Sequence, residues 1–129
     1  MDLFAYRGGA LFCEEVPAAR LAEDFGTPLY VYSAGTFVDH FDRLRAAFAP
    51  LDPLICFSVK CCQNVHIGRL LRERGSGFDV VSGGELHRAL CAGADPRQIV
   101  YAGVGKTDAE IRQALAAGIG LFNVESESE

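Results

Sequence analysis

A chain of 129 residues suffices for one ordinary core but is only about half of a (β/α)8 barrel, which takes roughly 250 residues, so a barrel reading implies an incomplete chain. Hydrophobic residues make up 50% and charged residues 22%, which excludes a disordered chain, and every apolar run falls far short of the ~18 residues of a membrane span. The net charge of −5 argues against a general nucleic-acid binder, whose surface must be basic to displace counterions from phosphates.

The chain opens on Met1-Asp2-Leu3-Phe4, without the basic stretch and long apolar segment of a secretory leader, so a cytoplasmic location is the default expectation. Residues 3–13 predict a small hairpin around Gly8-Gly9, followed by a short helix over 17–25 with Pro17 at its start. A short strand is expected over 28–32. From Thr36 an amphipathic helix carries Phe37, Phe41, Leu44 and Phe48 on one face and stops at Pro50 and Pro53.

From Leu54 the pattern becomes a repeat. Apolar strand segments at 54–60, 77–81, 98–102 and 120–124 recur about every 22 residues with helices between them, which means βαβ units and a parallel sheet. Asn64 is placed to cap the first of these helices, whose apolar residues Ile67, Leu70 and Leu71 share a face. Ser82-Gly83-Gly84-Glu85 and Thr107-Asp108-Ala109-Glu110 both read as capping boxes, and Gly75, Gly93 and Gly118 fall where helix C-termini need positive φ.

In parallel α/β folds functional groups gather at the carboxyl ends of the strands, here Lys60 and the segments 79–84, 102–106 and 123–126. A lysine closing an apolar strand either snorkels to water or sits in a site that uses its amine, for example to condense with a carbonyl compound. Position alone leaves both readings open. Asp79, ending the next strand, either bonds the Lys60 neighbourhood, as a counter-charge or a hydrogen-bond partner, or is a solvated turn residue. Glu85 is accounted for by its capping box, and Ser82-Gly83-Gly84 has the form of a weak phosphate cradle at a helix start. Gly105-Lys106-Thr107 invites a P-loop reading that fails, because Val100 stands where the motif needs its first glycine; Lys106 is expected to be exposed. His40, His66 and His87 lack ligand spacing. Cys13, Cys56, Cys61, Cys62 and Cys91 are odd in number and form no C-x-x-C pair, so no metal site and no disulfide framework are expected. The neighbours Cys61 and Cys62 read as small residues at a strand end, open to oxidation.

The run from Cys56-Phe57-Ser58-Val59-Lys60 through Cys61-Cys62-Gln63-Asn64, continued by Gly75-Ser76-Gly77-Phe78-Asp79 and Val80-Val81-Ser82-Gly83-Gly84-Glu85-Leu86, resembles the pyridoxal-phosphate-dependent decarboxylases with an alanine-racemase-like barrel. The pattern is most similar to the diaminopimelate branch, with the ornithine and arginine branches as relatives. Agreement continues over 25–32, 99–107 and 118–126. The resemblance implies an α/β fold, about the first half of a parallel (β/α)8 TIM-type barrel over 28–129, with residues 1–27 a short segment of a β domain. It further implies that Lys60 is the catalytic lysine holding pyridoxal 5'-phosphate, and that Asp79 and Glu85 are acidic cofactor-binding positions.

By the same resemblance the substrate is a small amino acid, meso-diaminopimelate converted to L-lysine and CO2, and the full-length protein is a homodimer. The family's glutamate on the pyridine nitrogen, its glycine-rich phosphate loop, its substrate arginines and a cysteine and tyrosine from a second domain lie later in its chain, so these 129 residues are expected to be inactive alone. Ornithine, arginine or carboxynorspermidine as substrate, or a non-catalytic truncated module, are the alternatives. Two departures bear on substrate choice: Ser58 stands where alanine is usual, and the Cys61-Cys62 pair follows the lysine.

Overall fold

Gly8 and Gly9 adopt φ of +56° and +83°, the pair of positive values that a two-residue hairpin turn requires. They join β1 (Phe4–Arg7) to β2 (Ala10–Cys13) in antiparallel register, with Arg7 opposite Ala10. The computed structural model, which describes residues 2–129, divides the chain into two compact units: a first ending at Leu44, and a second covering Arg45–Glu129. The first unit adds a strand that the sequence pattern did not announce, β3 (Val16–Pro17), paired with β2 so that Cys13 faces Val16. Helix α1 (Ala18–Phe25) follows directly from Pro17.

The expected strand over 28–32 does not form. Pro28 has no N–H to give a ladder, Tyr30 is 87% exposed, and the sheet of this unit contains β1, β2 and β3 alone. Helix α2 (Ala34–Phe48) starts two residues before Thr36 because Ser33 caps it: the Ser33 hydroxyl oxygen accepts the Thr36 N–H at 3.0 Å. Glu14 reinforces that start, accepting the Gly35 N–H at 2.8 Å and the Ser33 hydroxyl at 2.7 Å. These bonds hold its carboxyl below the usual carboxylate range.

In the second unit the repeat folds as four parallel strands in sequence order: β4 (Cys56–Ser58), β5 (Gly77–Val80), β6 (Ile99–Tyr101) and β7 (Leu121–Phe122). Helices α3 (Val65–Glu73), α4 (Gly83–Cys91) and α5 (Asp108–Ala117) fill the intervals, α4 packing against both of its neighbours. Asn64 caps α3 as expected, accepting the His66 N–H at 2.9 Å, and Gly75, Gly93 and Gly118 close the three helices with positive φ. Among the described residues no helix is long and apolar enough to cross a membrane.

Strand register explains the repeat. Ser58 lies opposite Asp79, Asp79 opposite Val100 and Val100 opposite Leu121, so residues 21 apart are lateral neighbours across the sheet (79 − 58, 100 − 79 and 121 − 100). Alternation then sorts the strands into two faces. On one, Phe78, Val80, Ile99 and Tyr101 are at most 1% exposed and pack with Leu86, Ala89 and Ala114. At about 1.5–3 kcal/mol for each fully buried large side chain, this helix-facing layer is the main stabiliser of the unit. The other face carries Cys56, Ser58, Asp79 and Val100, all half-buried. This is the arrangement of a partial (β/α)8 TIM-type barrel, with helices outside and the second face inside.

Candidate active site

Lys60 does not end a seven-residue strand. The ladder stops at Ser58, and Val59–Cys61 form a single 3-10 turn closed by the Cys62 N–H on the Val59 carbonyl at 3.1 Å. The reason is packing: Val59 is 4% exposed and plugs the helix-facing core, while Lys60, one residue further, is exposed. A turn rather than a strand thus presents the amine at the carboxyl edge of the sheet.

Two residues back, the Ser58 hydroxyl donates to Asp79 Oδ2 at 2.9 Å. Of the two roles open to Asp79, the hydrogen bond to the Lys60 neighbourhood forms. An ion pair with Lys60 does not form among the described residues. Cys56 shares this face, and its thiol is pushed up, first by burial and then by the negative charge of Asp79. Within the four strands Asp79 is the one carboxylate on the inner face, among otherwise neutral side chains.

Glu85 sits deeper, at 5% exposure. Its capping box is only half formed: Ser82 Oγ accepts the Glu85 N–H at 3.2 Å, but the Glu85 carboxylate accepts from the Val81 N–H at 2.9 Å instead of from Ser82. Its second oxygen receives the Gln63 amide at 3.5 Å, and the Arg88 guanidinium donates to the Gln63 carbonyl at 3.2 Å. Helix α4 therefore holds the segment that follows the Lys60 turn at two points.

The phosphate-cradle reading of Ser82-Gly83-Gly84 is corrected by an internal anion. Glu110, from the start of α5, accepts the Gly83 N–H at 2.8 Å as well as the Thr107 N–H at 3.1 Å and the Thr107 hydroxyl at 2.9 Å. Those donors pull its carboxyl down to about 2, and the same charge, after burial, helps push the Tyr101 hydroxyl up to about 12. At this helix start the Gly83 N–H is therefore taken, and the Glu110 charge beside it disfavours a second anion.

Lys106 is likewise not exposed. Its side chain is 1% exposed, and its ammonium donates at 2.7 Å to each of the Gly103 and Asn123 carbonyls and also to the Glu129 carboxylate. It clips the ends of β6 and β7 together. All five cysteines are free, with Cys61 exposed and its thiol pushed up by desolvation and by Cys62, and no cluster of metal-ligating residues exists among the described residues.

Sequence reasoning missed the Ser58–Asp79 pair, the reach of Glu110 and the burial of Lys106. The first was within its reach: with a period of 21, Ser58 and Asp79 are neighbours by counting. The other two join backbone groups 27 and 17 residues away, for which a side chain gives no pattern.

The sequence and the fold both have counterparts among known proteins. Residues 34–129 match the family described as pyridoxal-dependent decarboxylase, pyridoxal binding domain. The diaminopimelate decarboxylase of Neisseria meningitidis is 53% identical over 116 residues, covering 90% of this chain and 28% of that protein, and that of Haemophilus influenzae is 47% identical over 129 residues, covering 100% and 31%. A solved structure from Aquifex aeolicus superposes with a TM-score of 0.93 at 50% identity, and the diaminopimelate decarboxylase of M. jannaschii, solved with L-lysine, with 0.93 at 37%; each match covers 98% of this chain and 31% of the other. The chain thus spans about three tenths of the length of the relatives it matches. With a family match over most of its length and these relatives beside it, the chain belongs to the pyridoxal-dependent decarboxylases and carries their pyridoxal-binding domain in part.

Proposed function

We propose that this chain is the N-terminal part of a pyridoxal-phosphate-dependent decarboxylase that converts meso-diaminopimelate to L-lysine and CO2. The observation that carries the reading is the exposed Lys60 amine, presented by a 3-10 turn at the carboxyl edge of the sheet beside the Ser58–Asp79 pair, in a chain 46–53% identical to several diaminopimelate decarboxylases. These groups suit the cofactor: a free amine for its aldehyde and a carboxylate on an otherwise neutral inner face for its polar atoms. Bound pyridoxal phosphate supplies an electron sink for the pair released when a carboxylate departs as CO2.

In this assignment Lys60 is the catalytic residue that holds the cofactor covalently, and Asp79 a cofactor-binding residue on the adjacent strand. Glu85, buried and bonded to Val81 and Gln63, would serve the cofactor site by fixing the segment that follows the Lys60 turn and the backbone before α4. Residues 28–129 belong to the barrel and 1–27 to a segment associated with a β domain. The complete enzyme is a cytoplasmic homodimer acting on a small amino acid. The 129 residues alone capture cofactor without turning over substrate, since they span only about three tenths of their relatives.

Incubation with pyridoxal phosphate followed by borohydride should place a pyridoxyl group on the peptide containing Lys60, read by mass spectrometry, and Lys60→Ala should abolish it. The chain has only two lysines, Lys60 and Lys106, so labelling confined to Lys106 or to the amino terminus defeats the assignment. Release of CO2 from diaminopimelate by the 129-residue chain itself would overturn the expected inactivity.

A further inference from the structure

We infer that Ser58 is a positioning residue for Asp79 at the Lys60 site, an inference that rests on the cofactor reading above. The Ser58 hydroxyl gives Asp79 its one side-chain hydrogen bond among the described residues, at 2.9 Å to Oδ2, and leaves Oδ1 unengaged on the face that Ser58 and Asp79 share. An aspartate carboxylate turns about a broad, roughly two-fold torsion, and one fixed oxygen is enough to define the direction of the other. A neutral donor does this without cancelling the charge, which a lysine or arginine at position 58 would do.

The surroundings offer no substitute for that anchor. Gly77 and Val100, next to Asp79 on its strand face and across the sheet, have no side-chain donor, and Cys56, the remaining neighbour on this face, brings only a weak thiol. Register places Ser58 directly opposite Asp79, and Lys60 follows Ser58 by two residues on the turn that ends the same strand. A residue that orients the carboxylate thus also belongs to the segment that carries the amine. An alanine at position 58 would leave the carboxylate to solvent and to its own rotamers.

The test compares the chain with Ser58→Ala and Ser58→Thr, each checked for cooperative thermal unfolding. Without cofactor, carboxylates are footprinted with carbodiimide and glycinamide, using Asp108, whose side chain is 87% exposed, as the internal reference. Ser58→Ala should raise modification of Asp79 severalfold, and Ser58→Thr, which keeps the hydroxyl, should not. With pyridoxal phosphate, borohydride-trapped capture at Lys60 should slow about tenfold in Ser58→Ala, the equivalent of one lost hydrogen bond to a charged group, and recover in Ser58→Thr. An unchanged Asp79 footprint in Ser58→Ala overturns the inference, as does a changed footprint with unchanged capture. Failure of the unsubstituted chain to capture cofactor at Lys60 strikes the proposed function and the functional half of this inference, whereas capture that ignores Ser58→Ala strikes the inference alone.

Discussion

The starts of α4 and α5 are written alike, Ser82-Gly83-Gly84-Glu85 and Thr107-Asp108-Ala109-Glu110, yet only the second closes as a capping box. At α5 the hydroxyl and carboxylate exchange bonds with the two backbone donors, as the motif demands. At α4 the carboxylate reaches past the cap to Val81 and sideways to Gln63, and the Gly83 N–H is met by the carboxylate of the other helix. A local motif therefore specified where each helix begins, while the neighbouring strand and helix decided which donor each carboxylate serves. The glycine at position 83 makes the exchange possible: a Cβ there would lie 2.9 Å from Gln113 Oε1 and 3.2 Å from Glu110 Cγ.

The largest expected effect comes from Glu110, which serves both helices. Glu110→Ala removes the acceptor of the Gly83 N–H, the Thr107 N–H and the Thr107 hydroxyl together, and should cost about 2–3 kcal/mol, read from the urea midpoint. A cost no larger than that of Thr107→Ala would mean that the link to Gly83 contributes nothing.

The same residue sets an acid limb. Its carboxyl is pulled from 4.5 to about 2 in the fold, so the stability it supplies is present above the unfolded value and is lost as pH falls through the interval down to the folded one. Urea midpoints taken across that interval should fall with acid in the natural chain, with a shallower slope in Glu110→Gln. Equal slopes would show that Glu110 is not the group whose protonation loosens the α4–α5 contact.

Glu85 comes next. Glu85→Ala should cost about 1–2 kcal/mol, because a buried acceptor is withdrawn from the Val81 N–H, whereas Glu85→Gln keeps a carbonyl for that donor and should cost less. Amide exchange at Val81 separates the two: fast in the alanine variant, near that of the natural chain in the glutamine variant. Equal exchange in both would mean that the charge, rather than the acceptor, holds the loop.

Particular residues mark how far the sequence could be read. The four strands, three helices, their caps and their closing glycines follow from a period and from turn chemistry, both local. Residues 28–32 have the composition of a strand but join no sheet among the described residues, and a strand exists only as part of a ladder. Lys60 was legible as a candidate because strand ends are the functional edge of such sheets. Its 3-10 turn was not, because it depends on Val59 being drawn into a core assembled from Phe78, Leu86 and Ala89. Lys106 was misread because lysine is normally solvated, and its burial needs two carbonyls from the segments that follow β6 and β7.

The smallest effect sharpens the comparison furthest. Ser82 and Thr107 both cap through a hydroxyl oxygen that accepts an N–H, at 3.2 Å and 3.3 Å, so the capping bonds themselves are matched. Thr107 also donates its hydroxyl to Glu110 at 2.9 Å, whereas Glu85, turned toward Val81 and Gln63, receives nothing from Ser82. Thr107→Ala should therefore cost roughly 1–1.5 kcal/mol and Ser82→Ala only about 0.5–1 kcal/mol. The discriminating measurement is the double variant with Glu110→Gln. Against that background the cost of Thr107→Ala should shrink, because its second partner has lost its charge, while the cost of Ser82→Ala should not, because its bond never involved Glu110. If both costs shrink equally, the two helix starts are coupled through Gly83 as one unit rather than built as a closed box beside an open one.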